Sequence, residues 1–242
     1  MVSICIPSRN ERFLPETVAD VLAHATGAIE VLVALDGYWP EFPLPRDQRV
    51  HLIHRGTAQG MRHGINACAA LAKGQYLMKL DAHCSVSLGF DEALAAQCDA
   101  DWVVIPRRDR LDPIAWARQE TRKPPIDAHY LSYPFERPDD PKCGLHGAEW
   151  KARAAARTSI LLDEEMSSQG SCWFMPRRFF VDTIGPLDHQ RFTSFWDEFQ
   201  EIGNKAWLSG GKVMVNKAVT YLHLHKGNTY GRGYPISKPT TV

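Results

Sequence analysis

An aspartate and a histidine one residue apart, Asp81 and His83 in LDAHC, close an apolar run that begins in GQYLMK. In an extended chain residues two apart point the same way. The pair is therefore expected to grip one object together while Ala82 faces elsewhere. One carboxylate oxygen and one imidazole nitrogen leave most positions of a divalent cation open to substrate oxygens. Imidazole, carboxylate and phosphate together suit Mn2+, whereas an all-oxygen set would favour Mg2+. A third protein ligand has to come from elsewhere, and YLHLHKG offers His223 and His225. These two are also one residue apart, and residue chemistry alone leaves both open. A lone D-x-H is more often a strand-end aspartate beside a packed histidine, so the positioning elements carry the argument.

VSICIP alternates apolar residues with smaller ones and stops at Pro7, which predicts a strand and a loop. Pro15 stands at a plausible first helical turn, followed by Val18, Val21, Leu22 and Ala25 at helical spacing. IEVLVALDG is continuously apolar, as a parallel strand buried on both faces requires. VHLIH, GQYLMKLD and DWVVIP predict further strands, with helices over 62–72 and 90–97. Strands alternating with helices over the first 106 residues imply a doubly wound α/β sheet, whose ligands bind at the carboxyl ends of the strands. SRN, LDGY and LDAHC all fall at such ends. Residues 107–160 are rich in proline and charge with little periodicity, the mark of a functional loop region. SCWFMPRRFFVDTIG restores order as a strand and a short helix. FWDEFQEIGNKAWLSGG then reads as a helix carrying Phe195, Phe199, Ile202 and Ala206, and KVMVN and AVTYLHLH as two strands.

Composition narrows the function classes. The 242 residues suffice for one large domain, and 28 Lys plus Arg balance 28 Asp plus Glu. No global field therefore calls for nucleic acid or an anionic membrane. The six cysteines have no C-x-x-C spacing, which argues against a structural zinc site and for free thiols in a cytoplasmic setting. No leader-like segment and no apolar run long enough for a bilayer is read from the sequence.

Four blocks in order, VSICIPSRNE, IEVLVALDG, GMRHGINACAALAKGQYLMKLDAHCS and WDEFQEIGNKAWLSGGKVMVNKAVTYLHLHK, resemble the catalytic domain of polypeptide N-acetylgalactosaminyltransferases. They also resemble the wider GT-A class of nucleotide-sugar-dependent glycosyltransferases. SQGSCWFM is similar to that family's A-G-G-L-F strand, and FWDEFQEIGNKAWLSGG to its W-G-G-E helix. The likeness covers 1–106 and 167–227.

The resemblance implies a GT-A, Rossmann-like α/β fold with a mostly parallel sheet flanked by helices. It implies one catalytic domain over 1–242: a nucleotide-sugar half (1–106), an irregular acceptor-side insertion (107–166) and a sugar and acceptor half (167–242). It makes Asp81, His83 and His223 the metal ligands, His223 by register from Trp207, Gly210 and Gly211. It places Pro7, Arg9, Asp36, Arg62, Asp81 and Lys226 at the nucleotide diphosphate, and Glu198 with Asp197 at the sugar or reacting region. Two departures stand out: Trp196 and Asp197 replace the glycines of W-G-G-E, and Lys226 replaces an arginine, giving up bidentate phosphate geometry. Trp173, Trp196 and Trp207 are candidates for a sugar pocket, with core packing the commoner use.

The expected activity is metal-dependent transfer of a sugar, hexosyl or N-acetylhexosaminyl, from a UDP-sugar to a hydroxyl with retention. Mn2+ or Mg2+ is the expected cofactor. A nucleotidyltransferase or sugar-nucleotide hydrolase, and a non-catalytic nucleotide-sugar-binding module, are the alternatives. Residues 107–160 hold 11 Lys or Arg against 8 Asp or Glu, a surplus of three. That mild excess leaves a glycan precursor, a protein, a metabolite or hydroxymethylated DNA as acceptors.

Overall fold

The computed structural model describes residues 1–132, 145–192 and 197–231. Strand β1 (Val2–Ser8) is central, parallel to β2 (Ile29–Asp36) on one side and β4 (Tyr76–Leu80) on the other. Strand β3 (Val50–Arg55) closes that edge, parallel to β2. All eight residues of β2 are buried, because the sheet is covered on both faces. Alternation decides which face each residue fills: Val31, Val33 and Leu35 enter one apolar cluster, and Leu32 and Ala34 enter the other. Helix α1 (Leu14–His24) packs Leu14, Val18 and Val21 into the first cluster. Helix α2 (Met61–Leu71) packs Ile65, Cys68 and Ala69 into the second. Gly64 lets α2 approach closely, since a Cβ there would meet Ala34 Cβ at 3.3 Å and Pro7 Cβ at 3.4 Å.

Beyond β4 the sheet becomes mixed. After the short strand β5 (Cys84–Val86) and helix α3 (Phe90–Ala96), strand β6 (Trp102–Asp112) runs well past the expected DWVVIP segment. Its continuation pairs with the short strand β7 (Ala117–Arg118). The segment expected to be irregular holds more order than its composition shows. Strands β8 (His129–Ser132) and β9 (His146–Glu149) form a separate hairpin sheet. Helix α4 (Lys151–Ala156) and strand β10 (Leu162–Glu164) follow.

Strand β11 (Cys172–Pro176) inserts antiparallel between β4 and β6. The expected short helix after it is α5 (Arg177–Phe179), continued as one π-type turn over Phe180–Ile184. Helix α6 (Glu198–Leu208) covers the second cluster with Phe199, Ile202 and Ala206; Phe195 lies outside the described residues. The two expected C-terminal strands are one, β12 (Lys212–His223), parallel to β6 with a register shift between Asn216 and Thr220. That irregularity makes the sequence read as two pieces. Helix α7 (Gly227–Tyr230) ends the described chain. The strand order is β10-β12-β6-β11-β4-β1-β2-β3, with β5 on β12 and β7 on β6.

Candidate active site

Asp81 and His83 do not sit in a strand. Strand β4 ends at Leu80, and Asp81–His83 form the turn into β5. Four hydrogen bonds hold that turn and the strand after it. The Asp81 amide donates to Ser171 O at 2.9 Å, and the Leu224 amide donates to His83 O at 3.1 Å. From α1, Thr17 Oγ1 accepts the Cys84 amide at 3.0 Å, and Asp20 accepts the Val86 amide at 2.8 Å. Antiparallel pairing of β5 with β12 sets His223 opposite Cys84. The outcome is convergence: Asp81, His83 and His223 each offer one ligand atom, all within 4.8 Å of one another. Nε2 of His223 lies 3.4 Å from Asp81 Oδ2, and Nε2 of His83 lies 3.9 Å from it. His225 turns outward and is exposed, its ring edge-on to His223.

The electrostatics suit a cation. Burial pushes His223 down to about 3 against the opposing pull of Asp81, so its imidazole is neutral and able to ligate at neutral pH. Burial would raise the Asp81 carboxyl, but Lys79 and the two histidines outweigh it and hold it far below the usual range. Among the described residues Nδ1 of His223 is buried with no hydrogen-bond partner, as is Nδ1 of His83, although Glu11 Oε2 lies 3.5 Å from the latter. One carboxylate and two imidazoles form a donor set that fits Mn2+.

Lys79, Glu11 and Trp173 tie this cluster to its surroundings. Lys79 is buried, and its Nζ donates to Asp81 Oδ1 and to Gly170 O, each at 2.6 Å. It also lies 3.7 Å from Glu198 Oε2. Burial would depress Lys79, but the charges of Asp81 and Glu198 prevail and raise it. Gly170 (φ 75°) permits this close approach, since a Cβ there would stand 2.6 Å from Glu198 Oε2. Glu198 is buried, and its Oε1 accepts Trp173 Nε1 at 2.6 Å. Burial raises the Glu198 carboxyl despite Lys79. Glu11 pairs with Lys226 on the other side of His83. A lysine inside the apolar strand YLMKL was the legible signal for Lys79. Glu11, inside SRNE, carries no signal in the sequence that sets it apart from a solvated loop carboxylate.

The other expected residues fall in two groups. Lys226 and His83 share Glu11, and Asp197 precedes α6 with φ 60°, beside Glu198. Pro7 and Arg9 lie at the carboxyl end of β1. Asp36 and Arg62 have protein partners of their own. Both Asp36 oxygens accept backbone amides at the start of α2, Gln59 at 2.6 Å and Gly60 at 2.9 Å. Arg62 is buried, donates to Glu201 at 3.2 Å and stacks over Phe192. Trp173 is a core residue stacked on Phe180, while Trp207 is half-exposed on α6. Trp196 lies outside the described residues.

The model of glycosyl transferase family 2 matches residues 3–163. Among solved structures the chain is similar to GalNAc-T7 in complex with UDP, GalNAc and Mn2+, with TM-score 0.73 and 19% identity. That match covers 99% of this chain and 46% of the other. It is also similar to residues 1–349 of TarS from S. aureus, with TM-score 0.56 and 14% identity over 93% of this chain and 60% of that one. The chain thus spans less than two thirds of either of these structures. No curated protein sequence matches it. At these identities the structural likeness establishes the GT-A fold, and the family match establishes kinship: the chain belongs to glycosyl transferase family 2.

Proposed function

We propose that the protein is a metal-dependent glycosyltransferase that moves a sugar from a UDP-sugar to an acceptor hydroxyl with retention. The convergence of Asp81, His83 and His223 at the carboxyl end of the central strands carries this reading. A divalent cation bound there supplies positive charge to a diphosphate leaving group. Asp81 would hold the cation through Oδ2, which faces His223, because Oδ1 accepts from Lys79. Lys79 adds a fixed positive charge beneath the site. Lys226, paired with Glu11 beside His83, would supply a further positive charge to the diphosphate. Glu198, held by Trp173 and Lys79, is not free to attack an anomeric carbon. In a retaining transfer the acceptor oxygen would bond to the anomeric carbon on the face from which UDP departs, and a phosphate oxygen of the departing UDP would take its proton.

The sugar is a hexose or N-acetylhexosamine, and GalNAc-T7 with its UDP, GalNAc and Mn2+ supports the uridine donor. The catalytic unit spans 1–242, with its donor half in 1–106. The described cysteines Cys5, Cys68, Cys84, Cys98 and Cys172 are free thiols, which supports a cytoplasmic setting. No helix among the described residues is long and apolar enough to cross a membrane. The test is a panel of nucleotide sugars with Mn2+, reading release of nucleoside diphosphate with and without hydroxyl acceptors. UDP released only when an acceptor is present supports transfer. Rapid release from UDP-sugars without any acceptor would make the protein a hydrolase instead.

A further inference from the structure

Arg108 on β6 is only 3% exposed, yet no carboxylate among the described residues pairs with it. Among the described residues its guanidinium donates to one acceptor, the amide oxygen of Gln169, and its Nε is buried with none. The neighbouring arginines show the usual remedy. Arg107 binds Asp127 through two bonds of 2.7 Å, Arg118 reaches Asp109, and Arg110 donates to Pro124 O at 2.9 Å. A buried charge with no counter-ion costs several kcal/mol and calls for an anion.

Position says where that anion lies. Arg108 stands opposite Tyr221 on β12, two residues before the pair Arg110 and His223. Arg108 and His223 therefore share one face of the sheet. Gln169 is two residues from Ser171, whose carbonyl accepts the Asp81 amide. On the other flank the Ile126 amide donates to Arg108 O at 2.8 Å, bringing in the segment that leads into β8 at His129. His129 is 5% exposed, and its Nε2 is also buried with no partner. Burial and the charge of Arg108 push this imidazole down to about 3, so it stays neutral and can present an N–H. Glu165, the carboxyl nearby, is turned to the His129 amide instead.

We infer that Arg108, with Gln169 beside it and His129 on the segment bridged to its strand, binds an oxyanion, a carboxylate or phosphate, carried by one of the two substrates of the transfer. This rests on the glycosyl-transfer reading above. The anion belongs either to an acidic donor sugar or to an acidic acceptor.

Titration calorimetry on the full chain separates the two sources by neutral and anionic twins. The donor arm compares UDP-glucuronate with UDP-glucose in the presence of Mn2+. The acceptor arm compares glycerol 3-phosphate with glycerol, and methyl glucuronide with methyl glucoside, with UDP and Mn2+ bound and again without UDP. In one arm the anionic twin is expected to bind at least about tenfold tighter, the size of one charge-assisted hydrogen bond. That preference should vanish in Arg108→Gln and survive in part in Arg108→Lys. Equal affinity within every pair for the wild-type protein, or a preference unchanged in Arg108→Gln, would overturn the inference. Should Arg108→Gln fail to fold, the wild-type pairs and Arg108→Lys still decide. Failure of UDP to bind would sink the transfer reading separately, leaving the anion preference to be judged without UDP.

Discussion

Lys79 Nζ lies 2.6 Å from Asp81 Oδ1, so the aspartate shares itself between a buried ammonium and the two imidazoles that face its other oxygen. Glu198 is 3.7 Å from the same Nζ. Lysine and the two carboxylates form a buried charge set whose removal in part leaves the rest uncompensated. Lys79→Met should therefore destabilise the fold by about 3–5 kcal/mol, the usual cost of breaking a buried pair. Chemical denaturation midpoints measure it. A loss within ~0.5 kcal/mol would mean the carboxylates are solvated without Lys79.

The histidines of the C-terminal strand should differ sharply. His223 faces Asp81, while His225 is exposed. His223→Ala is expected to lower Mn2+-supported UDP release about a hundredfold or more, matching Asp81→Ala. His225→Ala should change it by less than about fivefold, since it removes no atom from the cluster. A dead His225→Ala beside an active His223→Ala would reverse the assignment.

Chelation gives an independent check on the same cluster. Excess EDTA should abolish UDP release, and Mn2+ should restore it better than Ca2+, because imidazole ligands disfavour the harder ion. Full activity in excess EDTA removes the metal from the mechanism.

Glu11 connects His83 to Lys226, at 3.5 Å from His83 Nδ1. A carboxylate behind a ligating imidazole fixes its ring and raises its basicity. Glu11→Gln is expected to weaken Mn2+ affinity of the folded protein about tenfold to a hundredfold. Mn2+ titration followed by electron paramagnetic resonance reads this directly, and unchanged affinity would leave Glu11 as a tether for Lys226 alone.

Stability should peak between about pH 4.5 and 6.5 as far as His129 and Glu165 set it. His129 falls from 6.5 to about 3 on folding, through burial and then Arg108. The unfolded chain thus binds more protons between those values, and stability is lost as pH falls through them. Glu165 rises from 4.5 to about 8 through burial. The folded chain holds that proton, so this contribution is lost as pH climbs towards 8. The two oppose each other where their windows overlap. Glu165→Gln should flatten the alkaline limb of the denaturation midpoint against pH, and an unaltered limb would assign it to other groups.

Local pattern in the sequence was enough for the α/β class, because burial on one face or two leaves periodicity in residues such as Val31 to Leu35. It was enough, too, to pick out Asp81 and His83, whose chemistry is written in their types. Their convergence was not local. The expected strand geometry gave way to a turn, and what brings the two rings together is the pairing of β5 with β12 and the anchor from Ser171. The choice between His223 and His225 likewise depends on a register between strands more than 130 residues apart. A bulge after Asn216 also disguised one long strand as two. Lys79, Glu11 and Arg108 look like ordinary charged residues along the chain. Only tertiary packing decides whether a charge is buried and what stands beside it, and electrostatic energy depends on that distance and solvent access rather than on sequence spacing.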